Sequence, residues 1–125
     1  GDIDHFKSVN DQYGHNAGDE VLIELSKLFS EVIRKQDKVS RWGGEEFLFI
    51  LPQTSVDNAI IIAEKIRNMV HQHAIHFEDK SIQVTVSIGI DQLTENQNID
   101  DAINGADKQL YLAKHAGRNQ VFPKL

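Results

Sequence analysis

The stretch Val39-Ser40-Arg41-Trp42-Gly43-Gly44-Glu45-Glu46-Phe47-Leu48-Phe49-Ile50-Leu51-Pro52 limits the fold more than any other. Two extended arms flank a Gly-Gly pair. That pattern predicts a tight type I′ hairpin with positive φ at both glycines. The outgoing arm, Phe47 to Leu51, is an apolar run as in a buried strand, and Pro52 ends it. Glu45 and Glu46 follow the turn directly, and successive strand side chains point to opposite faces, so only one of them faces a given site. Carboxylates at a turn beside a buried strand suit a hard, oxygen-seeking cation. They equally describe a solvated, charged hairpin tip.

A chain of 125 residues, 40% hydrophobic, has room for one domain and one core. Its net charge of −6 argues against a nucleic-acid backbone binder, which needs a basic patch. With no cysteine there is neither a disulfide framework nor a thiolate zinc site. No apolar run approaches the ~18 residues of a membrane span. The composition fits a cytoplasmic domain, with or without a membrane tether elsewhere in a parent protein. Gly1 opens abruptly on Asp2-Ile3-Asp4, so the expectation is a single domain over residues 1–125, cut at its N-terminus and lacking a first strand.

Along the chain, Asp2 and Asp4 share a face if the backbone there is extended. Phe6 and Val9 start a short helix that ends near Asn10-Asp11 and Gly14. Gly14 to Asp19 reads as a loop, with Asp19 a candidate N-cap. Glu20 to about Lys35 carries Val21, Leu22, Leu25, Leu28, Phe29, Val32 and Ile33 at helical spacing, and the pairs Glu24/Lys27 and Glu31/Lys35 lie on its exposed side. Thr54-Ser55-Val56-Asp57 caps a second long helix with Ala59, Ile62, Ala63, Ile66, Met69 and Val70 as its stripe. Ile82, Val84, Val86, Ile88 and Ile90 alternate with polar or small residues, which predicts one continuous strand. Asn98 or Asp100 caps a third helix bearing Ala102, Ile103, Ala106, Leu110 and Ala113, which Gly117 stops, and a short strand over Asn119–Phe122 ends the chain. Antiparallel pairing mixed with crossover helices implies an α/β (α+β) sandwich, with helices around one mixed sheet. His71 and His73 diverge on a helix, and the six histidines form no metal cluster; His15 reads as structural.

Four fragments now stand in order: Asp2-x-Asp4-x-Phe6-Lys7-x-x-Asn10-Asp11, Gly14-His15-x-x-Gly18-Asp19, Arg41-x-Gly43-Gly44-Glu45-Glu46-Phe47, and Lys114-x-x-Gly117-Arg118-Asn119. Together they resemble the GGDEF family of diguanylate cyclases over essentially the whole chain, with the signature in its Gly-Gly-Glu-Glu-Phe form. The resemblance implies a fold similar to the palm of nucleotidyl cyclases. It implies a bacterial signalling enzyme that condenses two GTP molecules into cyclic di-GMP across a homodimer, releasing two pyrophosphates, under an upstream regulatory or sensor domain.

The resemblance also assigns roles. Asp2, the Ile3 carbonyl and Glu45 match the ligands of Mg²⁺ (or Mn²⁺), and Glu46 matches the residue that deprotonates or orients the 3′-hydroxyl. Asn10 and Asp19 match the guanine readers; a carboxylate accepts from both N1–H and N2–H₂, a donor pair adenine lacks. Lys7, Lys114 and Arg118 match the phosphate-holding cations, with backbone N–H groups around His5 and Phe6 adding donors. Taken without the resemblance, Lys114 and Arg118 equally complement a helix C-terminus. Arg34-Lys35-Gln36-Asp37 matches the RxxD site, where cyclic di-GMP binds as a feedback inhibitor; by itself it also reads as a helix-end ion pair. Many relatives complete that inhibition with an arginine on the next helix. Lys65 stands there in this chain and cannot reproduce a bidentate contact. The alternative reading is a signalling module that binds GTP or cyclic di-GMP without turnover.

Overall fold

The computed structural model describes residues 1–125. Eleven elements follow one another: β1 (Asp2–Ile3), α1 (Phe6–Tyr13), α2 (His15–Val32), β2 (Lys38–Gly43), β3 (Glu46–Ile50), α3 (Val56–Gln72), β4 (Ile75–Phe77), β5 (Lys80–Ile82), β6 (Val86–Gly89), α4 (Ile99–His115) and β7 (Val121–Phe122). The main sheet has the order β2-β3-β1-β6-β7, antiparallel except for the parallel β6–β7 pair. This is the mixed sheet with helices that the sequence pattern implies.

The helical stripes bury as their spacing requires. Val21, Leu25 and Phe29 of α2 and Ile60, Ile66 and Val70 of α3 enter one core with Ile3, Phe47, Val86, Ile88 and Val121. The Phe29 ring meets Phe47 and Phe49 edge-on, with centroids 4.8 and 5.2 Å away. Ser55 accepts from the Asn58 N–H at the start of α3, and Asn98 with Asp101 forms a complete capping box at the start of α4. Gly117 leaves α4 at φ 116°, a backbone that favours glycine.

At Gly89 the close neighbours are backbone atoms. A Cβ there would lie 2.1 Å from the Ala106 carbonyl oxygen and 2.3 Å from the Leu110 nitrogen, so the backbone of α4 rests directly on β6. Of the stripe expected on α4, only Ala113 is fully buried. Ala102, Ile103, Ala106 and Leu110 instead line a cavity of about 480 Å³ that also reaches Phe49 of β3 and Ile62 of α3.

Several expectations are corrected. Neither Gly43 nor Gly44 has positive φ. A register shift at Trp42, between the Arg41–Phe47 and Gly43–Glu46 pairs, leaves Gly44 and Glu45 as the turn residues. Such a bulge adds twist to the hairpin, so the arms close without a mirror-image turn. The expected loop over Gly14–Asp19 is a single residue: Gly14, at φ 94°, turns the chain directly into α2. Asp19 therefore sits inside α2 and caps nothing. The helix also ends early, at Val32, because Ile33 is extended, so Arg34 and Asp37 lie beyond it.

The strand expected from Ile82 to Ile90 is two strands in different sheets. β5 pairs with β4, which sequence periodicity did not reveal, and β6 pairs with β1. The final strand starts only at Val121, because Arg118 and Asn119 are left-handed, at φ 63° and 48°. The surface pairs on α2 do not form; Glu24 instead lies 3.6 Å from His73 Nε2.

Candidate active site

The central strand is two residues long, and its position decides what faces what. Asp2 pairs with Glu46 on one side and Ser87 on the other. The Ile3 N–H donates to the Glu45 carbonyl at 3.1 Å. The first segment and the hairpin turn, more than forty residues apart in sequence, are thereby laced together by backbone bonds. Asp2 is buried at 6% exposure, while Glu45 is half-buried and Glu46 exposed.

Lys114 Nζ, in the last turn of α4, donates to Asp2 Oδ2. Asp2 Oδ1 is buried and has no partner. Burial pushes the Asp2 carboxyl above the ordinary carboxylate range, Lys114 opposes that shift, and the charges of Glu45 and Glu46 reinforce it. A buried carboxylate oxygen without a donor, beside two further carboxylates, is a place where a hard cation restores the missing interaction. The donor set is oxygen alone, as Mg²⁺ or Mn²⁺ prefers. No three acidic or histidine side chains converge into a cage, so the protein would supply part of a coordination shell. That is the usual state of a Mg²⁺ that keeps waters and shares its nucleotide's phosphates.

Asp4 does not share this environment, contrary to the same-face reading. Its backbone leaves the strand, and its carboxylate accepts from Thr85 Oγ1 at 2.7 Å, Ser87 Oγ at 2.7 Å and the Asn119 N–H at 3.0 Å. Asn119 Oδ1 in turn accepts from Arg67 Nη1 of α3 at 3.0 Å. The buried Asp4 carboxylate thus ties β1, β6 and the α4–β7 turn together. It holds in place the turn that carries Arg118, whose side chain is exposed. The signals of this role in the sequence are the alternation of Asp4 with Asp2 and the hydroxyls at Thr85 and Ser87.

α1 begins at Phe6 behind a left-handed His5, φ 55°, with no side-chain cap. The first N–H groups of such a helix have no intrahelical partner and favour an anion. Phe6 is buried and Lys7 exposed, so the ring anchors the turn and the ammonium reaches solvent.

α1 and α2 then fold back on each other. A Cβ on Gly18 would lie 1.9 Å from Asn10 Oδ1 and 3.2 Å from the Phe6 ring. The Asn10 amide therefore lies on the backbone of the residue next to Asp19. Asp19 is exposed and Asn10 half-buried.

Arg34 and Asp37 stand apart, at the corner beyond the other end of β3. The Arg34 side chain grips Asp37 through Nε at 2.9 Å and Nη2 at 2.7 Å, and the Asp37 side chain has no exposed surface. This pair holds the Asp37 carboxyl below the usual range and raises the guanidinium further. Lys65 makes no ion pair.

Comparison with known proteins agrees with this fold. Residues 1–120 match the family model described as diguanylate cyclase, GGDEF domain. The chain is 43% identical over 121 residues to diguanylate cyclase A of Treponema denticola, covering 96% of this chain and 33% of that protein. It is 45% identical over 121 residues to diguanylate cyclase DgcM of Escherichia coli, covering 97% of this chain and 29% of that protein. The chain thus spans about a third of the length of these curated relatives. Among solved structures, the GGDEF domain of DgcB from Caulobacter crescentus in complex with c-di-GMP superposes with a TM-score of 0.91 at 32% identity, covering 96% of this chain and 72% of that one. The active GGEEF domain of a diguanylate cyclase from Vibrio cholerae superposes with a TM-score of 0.84 at 38% identity, covering 99% and 80%. No helix is long and apolar enough to cross a membrane.

Proposed function

The chain belongs to the GGDEF-domain family of diguanylate cyclases, and from that premise we propose that its parent protein condenses two GTP into cyclic di-GMP and two pyrophosphates, using two copies of this domain face to face. One observation carries the reading: the unpartnered, buried Asp2 Oδ1 lies beside the Glu45–Glu46 turn.

Asp2, Glu45 and the Ile3 carbonyl would hold Mg²⁺ or Mn²⁺. When bound, such an ion neutralises charge on the phosphates and orients them for in-line displacement. Lys114 would exchange Asp2 for a phosphate oxygen. Lys7, Arg118 and the N–H groups at Phe6 would clasp the rest of the triphosphate. Asn10 and the exposed Asp19 carboxylate would read guanine, and a site built on those acceptors rejects adenine strongly.

Glu46 is exposed at the start of β3, where it can take the proton of a ribose 3′-hydroxyl. The 3′-oxygen of one GTP then bonds to the α-phosphorus of the GTP on the other copy. The bond from that phosphorus to pyrophosphate breaks, and the reciprocal step closes the ring.

Arg34, with Asp37, would bind cyclic di-GMP as a feedback inhibitor. A domain that works only when paired calls for an upstream regulatory or sensor domain, consistent with the small share of its relatives that the chain covers. We read the acting domain as cytoplasmic, because its proposed substrate, GTP, is found there.

The test is turnover by the full-length protein with GTP and Mg²⁺, followed by product chromatography. Cyclic di-GMP is expected, and Glu46→Gln should abolish its formation while sparing product binding at Arg34. A dimeric wild-type protein that binds the dinucleotide yet never makes it would leave only a non-catalytic binding module.

A further inference from the structure

One guanidinium closes the corner where α2 runs into β2 and β3 runs into α3. Arg34 Nε donates to Asp37 Oδ2 at 2.9 Å, Nη2 donates to Asp37 Oδ1 at 2.7 Å, and the Arg34 backbone N–H donates to Oδ2 at 2.8 Å. Nη2 also donates to Thr54 Oγ1 at 2.5 Å, with the Pro52 carbonyl behind it at 3.4 Å. The Thr54 hydroxyl gives its own proton to the Pro52 carbonyl at 2.9 Å. What it turns toward Arg34 is therefore a lone pair.

A guanidinium carries five N–H donors, and here three are committed: the one on Nε and both on Nη2. The two that remain are on Nη1. Arginine reads guanine through O6 and N7 with donors on two adjacent nitrogens. The side-on fork, Nε with Nη2, is filled by Asp37. The end-on fork, Nη1 with Nη2, lacks only the donor that points at Thr54. Asp37 is turned fully inward, so it acts by aiming Arg34, and the exposed 38% of the Arg34 side chain is the surface a base can meet.

We propose that Thr54 is a built-in competitor for guanine at this corner: its hydroxyl oxygen occupies the one donor a base needs to complete the end-on fork, and so sets how strongly product inhibits. This rests on the reading of Arg34 as the product-binding group. The substrate residues lie beyond the other end of β3, so the competition acts on product and not on GTP.

Cyclic di-GMP titrated calorimetrically into the full-length protein, with inhibition constants measured alongside, tests this. Thr54→Val keeps the branched shape and removes the acceptor. It should tighten product binding and lower the inhibition constant by roughly three- to tenfold, the worth of one hydrogen bond, while KM for GTP stays unchanged. Thr54→Ser retains the hydroxyl and should bind like wild type. In an Arg34→Ala background the valine change should have no effect. Thr54→Ala gives the same comparison if the valine variant folds badly. Unchanged or weaker product binding in both apolar variants overturns the proposal. Wild-type product binding by Arg34→Ala alone would instead remove the underlying site, and that result is separable because it does not involve Thr54.

Discussion

Lys114 and Asp2, 112 residues apart, form an ion pair in which only one oxygen of the carboxylate is satisfied. The arrangement is poor for stability taken alone. Burial raises the Asp2 carboxyl above its unfolded value of 3.8, so at neutral pH the ionised group costs folding free energy. That cost disappears only as the pH falls below the raised value, or when a cation takes the free oxygen. A site that sacrifices stability for a ligand is a familiar trade.

Asp2→Asn should therefore separate the two roles. We expect kcat to fall by at least ~10²-fold, the scale on which single electrostatic groups count in catalysis. Thermal stability without metal should not fall. Saturating Mg²⁺ should raise the melting temperature of wild type at neutral pH, and chelation should reverse the gain. The asparagine variant should show no such response. Differential scanning fluorimetry with and without metal measures this. A destabilised asparagine variant that still gains from Mg²⁺ would contradict the assignment.

Gly18→Ala probes the proposed base-reading pair, Asn10 and Asp19, without substituting either member. The new Cβ would meet Asn10 Oδ1 at 1.9 Å, and a flexible side-chain tip can swing away from it. Glycine in a helix interior costs ~0.5–1 kcal/mol against alanine, which offsets the close contact of the new Cβ with the Phe6 ring at 3.2 Å, so the variant should be about as stable as wild type. The displaced Asn10 should raise KM for GTP about tenfold, the cost of roughly one lost polar contact. Steady-state kinetics beside a thermal melt checks both. A stable variant with unchanged KM would show that Asn10 does not contact the base.

Asp37 sets an acid limit. The Arg34 fork holds its carboxyl below 3.8, so the pair's contribution is fully present above that pH and is lost as the pH falls through the lowered folded value. The melting temperature of wild type should fall relative to Asp37→Asn as the pH drops below 3.8 toward the lowered folded value, and the two curves should run parallel near neutral pH. The comparison cancels Asp2, whose shift has the opposite sign. Parallel curves throughout would mean that the pair contributes nothing to folding.

What was legible in the sequence follows from how far each interaction reaches. The stripes of α2 and α3 and the caps Ser55 and Asn98 act within a few residues and are largely legible, though Ile60 buries on α3 where Ile62 and Met69 are expected, and Ile33 falls beyond α2. The convergence of Asp2 with the Glu45 turn was readable only through resemblance. The bonds that enforce it join strands whose order, β3-β1-β6, no local pattern encodes. Asp4 holds Ser87 across 83 residues, and alternation alone cannot show that Gln83–Thr85 leaves the sheet at that point. The start of α2 was missed for a local reason. One glycine at positive φ replaced a six-residue loop, and composition does not distinguish the two.

Gly89 offers the strictest test of the packing. Here a Cβ meets backbone, the Ala106 oxygen at 2.1 Å and the Leu110 nitrogen at 2.3 Å, and backbone cannot swing aside. Gly89→Ala must push α4 off β6. Overpacking of this kind typically costs about 1–3 kcal/mol, which for a domain of this size lowers the melting temperature by several degrees, roughly 4–15 °C. The displacement should also reach the active site, because the same helix carries Lys114 to Asp2. Activity measured well below the new melting temperature should therefore fall more than the folded fraction does. Addition of GTP with Mg²⁺ should recover part of the lost stability by mass action. Denaturant unfolding monitored at Trp42, beside kcat on the same preparation, would decide the matter. A variant as stable and as active as wild type would mean that α4 does not lie against β6 at this distance.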